Sequence, residues 1–202
     1  MARVPRKFLA GHCYHVMNRG NGGTTVYFDQ RDFDAFLQII GQAQDRLAMR
    51  VLAVCLMPNH FHLVLRPHAH GDLSRWMHWL MTTHVVRYRV VHNTIGRIWQ
   101  GRFKAFPIQQ DPHLHAVMRY VERNALRAGL VRRAEDWPWG SLHWRCGGTS
   151  PAVLTDSPCG LPSDWVRWVN EPQTSAELKA IRKSARSEIP FGDDDWVARV
   201  DW

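Results

Sequence analysis

Two apolar stretches that are separated only by Pro58-Asn59 constrain the fold more than any other part of this sequence. Residues 50–57 and 60–66 are rich in residues that favour strands, and both reach the break without a polar linker. Proline ends the first stretch because it cannot continue a strand ladder, and asparagine tolerates turn geometry. The sequence therefore predicts a β-hairpin over residues 50–66.

The second strand of this hairpin has two chemically different faces. Successive side chains of a strand point to opposite sides, so an apolar set would face a core and two imidazoles would share the other side. The apolar set is Phe61, Leu63 and Leu65, and the imidazoles are His60 and His62. Two neutral imidazoles on one face can bind a single divalent metal ion. The alternative is an ordinary pair of surface histidines in a chain that contains 12 of them.

Strand and helix patterns alternate along the first 130 residues. Aspartates in N-cap position precede the amphipathic stretches, and Gly129 suits a helix end. The order strand, helix, hairpin, helix, connection, helix predicts an α+β sandwich with helices on one face of a small antiparallel sheet. Besides the hairpin, the predicted elements are a strand over 13–18, helices from Asp29, from Asp72 to about 90 and from Asp111 to Gly129, and a loop or short extended connection over 93–107.

A basic charge balance points to nucleic acid as the partner. The chain carries 26 Lys and Arg against 18 Asp and Glu, a formal net charge of +8, and the excess lies in residues 1–150. Nearly all of these cations are arginines, whose planar fork suits phosphates and base edges. A solvated basic surface is the alternative. The candidate DNA-binding cations are Arg19 in a glycine-rich loop, Arg87, Arg89, Arg97, Arg102 and Lys104 before the third helix, and Arg127.

The third predicted helix carries a possible nucleophile. Tyr120 and Asn124 are four residues apart and would lie on one helix face, with Arg127 near the same side. A tyrosine hydroxyl beside a metal ion is a recognised nucleophile, and an amide oxygen can complete the coordination. Without the hairpin, Tyr120 would be interpreted as a half-buried packing residue.

Cysteine usage and hydropathy exclude several classes of protein. The four cysteines form no Cys-x-x-Cys pair, which argues against a zinc ribbon or a disulfide framework and favours a reducing, cytoplasmic setting. Charged residues or histidines interrupt every long apolar stretch, so we expect no membrane segment. Residues 1–9 contain Arg3, Arg6 and Lys7 without a following apolar run, and we therefore expect no signal peptide.

Five motifs together resemble one protein family, the HUH single-tyrosine transposases, and within it the REP-associated tyrosine transposases. The resemblance spans nearly the whole chain, although the family usually carries Pro-Val where Ala125 and Leu126 stand, and classical members carry Gln in place of Asn124. The motifs are HFH over 60–62, YVERNALRAGL over 120–130, HVMNRGN over 15–21, WQGRF over 99–103, and a tail motif running from IRKS at 181–184 to PFG at 190–192.

The resemblance implies a ferredoxin-like HUH-nuclease sandwich and a metal-dependent single-strand DNA endonuclease and strand transferase. By similarity, His60, His62 and Asn124 would hold Mg²⁺ or Mn²⁺, and Tyr120 would form a 5′-phosphotyrosine link. The implied substrate is single-stranded DNA with a REP-type hairpin. The implied catalytic domain covers residues 1–145, and residues 146–202 form an irregular C-terminal extension that we expect to pack back near the active site.

Other interpretations of the same residues remain open. A non-catalytic protein that binds REP hairpins and regulates their function would keep the fold without the chemistry. An unrelated metal hydrolase is disfavoured because the sequence offers no third histidine or carboxylate near the pair. Both a monomer and a homodimer are compatible with the resemblance.

Overall fold

The computed structural model describes residues 7–150 and 152–202, and its centre is a four-stranded antiparallel sheet with the spatial order β2-β3-β1-β4. The chain order is strand, helix, strand, strand, helix, strand, which is the ferredoxin-like arrangement. This confirms the predicted α+β fold and the hairpin. The strands are β1 (Cys13–Arg19), β2 (Met49–Met57), β3 (His60–Pro67) and β4 (Lys104–Ile108).

Eight α-helices accompany the sheet in the described part of the chain. Asp29 and Asp111 cap their helices as predicted, since each side chain accepts a hydrogen bond from a backbone N–H in the first turn. Asp72 is instead the first residue of its helix, which Gly71 precedes. The helices are α1 (Gln30–Arg46), α2 (Asp72–His92), α3 (Pro112–Glu122), α4 (Asn124–Arg127), α5 (Ser141–Arg145), α6 (Trp165–Asn170), α7 (Ser175–Ser187) and α8 (Asp194–Arg199).

Helices cover both faces of the sheet, so the expectation of helices on one face was wrong. On one side, Phe36 of α1 packs on Phe61 at a ring separation of 5.2 Å and also contacts His84 of α2. On the other side, Tyr120 of α3 packs against His62. The second layer arises because the histidine face of the sheet also carries apolar side chains, such as Cys55, Val64 and Phe106, which need a cover.

The tight turn between β2 and β3 is held by the loop that follows β1. The carbonyl of Pro58 accepts hydrogen bonds from the amides of Val26 and Tyr27, and the carbonyl of Asn59 accepts one from Gly20. These contacts fix the point at which β3 begins. His60 directly follows this turn, and His62 lies two residues further along the same strand.

Residues after 145 pack on the same body as the sheet. Trp165, Val169 and Ile181 are buried in the hydrophobic core, and the backbone of Phe191 pairs with β4 on both sides of Ile108. The extension thus contributes apolar burial and main-chain hydrogen bonds. The domain boundary at 145/146 remains a prediction.

Two further observations concern the ends of the chain and membranes. Residues 1–6 and residue 151 are outside the described part, and the expectation of no signal peptide depends in part on residues 1–6. Within residues 7–150 and 152–202, no helix is both long enough and apolar enough to cross a membrane.

Candidate active site

The two histidines of β3 meet a third histidine that the sequence analysis did not select. The rings of His60 and His62 lie 5.0 Å apart, as expected for alternate residues of one strand. The ring of His15, on neighbouring β1, stacks on His62, and its Nε2 lies 2.8 Å from Nδ1 of His62. The sequence offered one reason to select His15, because this residue begins the HVMNRGN motif. Its contact with His62, however, depends on the register of the two strands.

Burial keeps these imidazoles neutral. Loss of solvent lowers the pKa of His15 to about 3 and that of His60 to about 4, and the charges of Arg19 and Arg127 add to the effect on His60. The pKa of His62 lies well below its ordinary value, first because of burial and then because of His15, His60 and Arg127. A neutral imidazole is the form that binds a metal ion.

Tyr120 lies against this histidine cluster. Its ring packs edge-on against His62 at 5.8 Å and against His15 at 6.1 Å, and the side chain is 6 % exposed. The guanidinium carbon of Arg127 sits 4.2 Å from the centre of the Tyr120 ring. This places a positive charge against the ring of the predicted nucleophile.

The helix that carries Tyr120 is shorter than predicted. It ends at Glu122, and a separate turn, α4, contains Asn124 and Arg127. Arg127 still connects the predicted residues. Its Nη2 donates to Asn124 Oδ1 over 2.7 Å, and the same guanidinium packs on the ring of Tyr120. Asn124 is buried, and its Nδ2 has no hydrogen-bond partner among the residues that the structure describes.

An open cavity of about 760 Å³ lies over the histidines. Three of the predicted DNA-binding cations line it, namely Arg19, Arg102 and Lys104. The tail contributes Arg182, Ala185, Arg186 and Glu188 of the α7 region to the same cavity, and Lys104 Nζ donates to the carbonyl of Arg186 over 2.9 Å. The cavity is therefore strongly basic and partly built by the C-terminal extension.

The other predicted cations lie elsewhere. Arg87 forms a 3.7 Å ion pair with buried Asp32, and Arg89 donates to the carbonyl of Gly96. Arg97 is exposed in the following loop and does not line the cavity. These three side chains surround the C-terminal end of α2, and their role in DNA binding remains a prediction.

Three aromatic residues lie next to the predicted DNA-binding cations in the sequence, and most of them are part of the core. Trp99 and Phe106 are buried, the former between α1 and α2 and the latter against His15. Phe103 is half-buried and stacks on Phe8 at 5.8 Å. Only Phe103 among these three keeps surface that a base could reach.

The residues of the site fit a divalent metal ion that takes only a few of its ligands from the protein. Both ring hydrogen bonds of the histidine pair use Nδ1, which leaves Nε2 as the nitrogen for a ligand. The buried amide of Asn124 supplies an oxygen that is shared with Arg127. Across the described ranges, no group of three His, Cys, Asp or Glu side chains could hold a metal, so further ligands would have to be water or substrate oxygens.

Sequence comparison identifies the family. The profile described as "Transposase IS200 like" matches residues 9–124, more than half of the chain and a range that includes every residue of the site except Arg127 and the tail. The chain belongs to this transposase family. Its fold brings the two histidines and the tyrosine of the matched range into contact, and Arg127 links the tyrosine to Asn124.

Two similar proteins extend this result for the IS200-like transposase. A provisionally named REP-associated tyrosine transposase of Haemophilus influenzae is 24% identical over 158 residues, which are 71% of this chain and 86% of that protein. The solved structure of a REP-associated tyrosine transposase bound to a REP hairpin superposes with a TM-score of 0.60 at 17% identity, covering 80% of this chain and 98% of the other. The second match shows a shared fold.

The buried neutral histidines predict acid sensitivity of the metal-free protein. Their folded-state pKa values lie below the unfolded value of 6.5, so the unfolded chain binds more protons as the pH falls from 6.5 towards 4. The free energy of unfolding therefore has its full value above pH 6.5 and decreases below it, by up to about 1.4 kcal/mol per pH unit for each histidine. Urea unfolding at pH 7, 6 and 5 measures this slope.

Variants identify the source of that slope. His15→Phe should make the dependence on pH shallower, because one titrating group is removed. The exposed His68 gives a matched control, and His68→Gln should keep the wild-type slope. Identical slopes in all three proteins would contradict the assignment.

Proposed function

We propose that this protein is a metal-dependent single-strand DNA endonuclease and strand transferase that acts on REP-type hairpins through a 5′-phosphotyrosine intermediate. The observation that carries the proposal is the contact of Tyr120 with His62 and Arg127 in one cluster. A packing tyrosine needs neither a histidine pair nor a guanidinium on its ring. We expect the protein to act in the cytoplasm, as a monomer or a homodimer.

The divalent ion, Mg²⁺ or Mn²⁺ held by His60, His62 and Asn124, would withdraw negative charge from the scissile phosphate. Tyr120 supplies the attacking phenolic oxygen and releases its proton to solvent. The new bond joins this oxygen to phosphorus, the bond from phosphorus to O3′ breaks, and the departing O3′ takes up a proton. Arg127 contacts the tyrosine ring and places its positive charge beside the phosphotyrosine that results.

The basic cavity supports single-stranded DNA as the substrate. Arg19, Arg102 and Lys104 provide positive charge beside the histidines, which suits the phosphates of a DNA strand. The structural relative was solved with a REP hairpin, which supports a hairpin substrate for this chain.

The direct test is to trap the covalent intermediate. Wild-type protein is incubated with hairpin oligonucleotides that carry a single-stranded 5′ flank, with Mn²⁺ or with EDTA, and denaturing electrophoresis then resolves a protein–DNA adduct. The proposal expects an adduct that requires the metal and maps to Tyr120 by mass spectrometry. Hairpin binding without any adduct under Mn²⁺ would favour the regulatory, non-catalytic interpretation.

Arg102 offers a test of the DNA interface. If its guanidinium contacts a phosphate in the cavity, Arg102→Gln should weaken hairpin binding and reduce the slope of log affinity against log salt concentration by about 1. Fluorescence anisotropy at several salt concentrations measures both quantities. Arg167→Gln on the exposed side of α6 is the matched control and should change neither. An unchanged slope for Arg102→Gln would remove this residue from the interface.

A further inference from the structure

The amide of Asn59 determines which nitrogen of His60 carries the proton. Asn59 Nδ2 donates to the carbonyl of Gly23 over 3.0 Å, and since a carbonyl can only accept, the orientation of this amide is fixed. Its Oδ1 therefore faces Nδ1 of His60, 2.7 Å away. An oxygen without hydrogen requires a donor, so Nδ1 carries the proton of the neutral ring. The lone pair of His60 is then at Nε2.

His15 forms a hydrogen bond with Nδ1 of His62, but an imidazole nitrogen, unlike the Asn59 oxygen, can either donate or accept. The facing nitrogens, Nε2 of His15 and Nδ1 of His62, are 2.8 Å apart and share one proton between two neutral rings. When His62 donates, its Nε2 keeps a lone pair; when His15 donates, the Nε2 of His62 carries hydrogen and cannot bind a metal ion. The hydrogen bond to His15 therefore decides whether His62 is a ligand.

The surroundings of His15 argue against a packing role. Its side chain is fully buried, and within the described part of the chain its second nitrogen, Nδ1, has no hydrogen-bond partner. An unpaired buried nitrogen costs free energy that an apolar ring of similar shape would avoid. His15 does not line the cavity, and among residues 7–150 and 152–202 its side chain makes a polar contact only with His62.

We propose that Asn59 and His15 are positioning residues, which hold His60 and His62 as Nδ1–H tautomers and leave both Nε2 lone pairs for one shared divalent cation. Metal-binding histidines are commonly oriented by such a second hydrogen bond, and its removal typically lowers metal affinity by about 10- to 100-fold. The cation itself rests on the proposed function. The two tautomers are properties of the metal-free protein and are independent of catalysis.

The first measurement needs no variant and no activity. Long-range ¹H–¹⁵N correlation spectra of the metal-free wild-type protein distinguish the Nδ1–H and Nε2–H tautomers of each imidazole, and single histidine replacements assign the signals. We expect the Nδ1–H form at both His60 and His62. An Nε2–H form at His60 would overturn the role of Asn59, and an Nε2–H form at His62 would overturn that of His15.

The second measurement is the affinity for Mn²⁺ alone, by electron paramagnetic resonance of the unbound ion. Asn59→Leu and His15→Phe should each weaken binding by about 10- to 100-fold. Asn59→Asp keeps the acceptor oxygen but loses the bond to Gly23, and it should recover most of the affinity. His113→Phe is the control, because His113 bonds to Asp111 away from the cavity.

The outcomes separate this inference from the proposed function. Wild-type Mn²⁺ affinity in Asn59→Leu and His15→Phe would overturn the inference even if cleavage is observed. Nδ1–H tautomers and weakened Mn²⁺ binding without any DNA adduct would support the positioning roles and overturn the nuclease assignment. Circular dichroism spectra identify a variant that fails to fold, and in that case the tautomers of the wild-type protein decide.

Discussion

Tyr120→Phe is expected to reduce formation of the protein–DNA adduct by at least about 1,000-fold, because the substitution removes only the attacking oxygen. The phenylalanine ring keeps the packing against His62 and His15 and the contact with Arg127. Stability and hairpin affinity should therefore stay near the wild-type values. Adduct yield under Mn²⁺, together with anisotropy of a labelled hairpin, measures the two effects separately.

The matched control is Tyr88→Phe. Tyr88 is also a buried tyrosine, but it lies on α2 among His84 and His92, on the opposite face of the sheet. This variant should form the adduct at the wild-type rate. Full adduct formation by Tyr120→Phe would mean that another nucleophile acts, and the assignment of Tyr120 would be wrong.

Glu122→Ala is expected to lower the free energy of unfolding by about 3 to 5 kcal/mol, because it removes a buried carboxylate and leaves Arg145, whose side chain is only 15 % exposed, without its counter-ion. The Glu122 carboxylate has no exposed surface and binds three donors: Ser141 Oγ at 2.6 Å, Arg145 Nε at 3.0 Å and Trp165 Nε1 at 2.7 Å. These bonds join α3, which carries Tyr120, to α5 and α6. Urea denaturation at pH 7 measures the loss.

Asp164→Ala serves as the comparison. Asp164 also pairs with an arginine, Arg167, but both groups are solvent-exposed, and water screens such a pair. It should change stability much less than Glu122→Ala. A small effect of Glu122→Ala would show that water or a side-chain rearrangement satisfies Arg145, and α3 would then be held mainly by apolar packing.

The local pattern of the sequence was sufficient for the hairpin and for the shared face of His60 and His62. Strand alternation and the Pro58-Asn59 turn are short-range properties, so they required no knowledge of the fold. Helix spacing likewise placed Tyr120 near Asn124 and Arg127. The length of that helix was predicted wrongly, because the break at Arg123 has no glycine or proline to mark it.

Long-range contacts could not be predicted in the same way. The charge pattern predicted DNA binding for both Arg87 and Arg102, but in the structure Arg87 pairs with Asp32 and Arg102 lines the cavity. Trp99 and Phe106 lie beside predicted DNA-binding cations in the sequence, yet both are buried. Charge and aromatic character belong to the residue, whereas exposure depends on which elements pack over it.

Sequence alone determined the chemistry that is available: a basic chain with two imidazoles on one strand, a tyrosine on a late helix, and the motifs of one transposase family. Only the tertiary structure decided that α3 covers the histidine face of the sheet, that His15 bonds to His62, and that α7 lines the same cavity. The physical reason is that alternation and helical spacing act over a few residues, whereas strand order and helix docking bring together residues far apart in the chain.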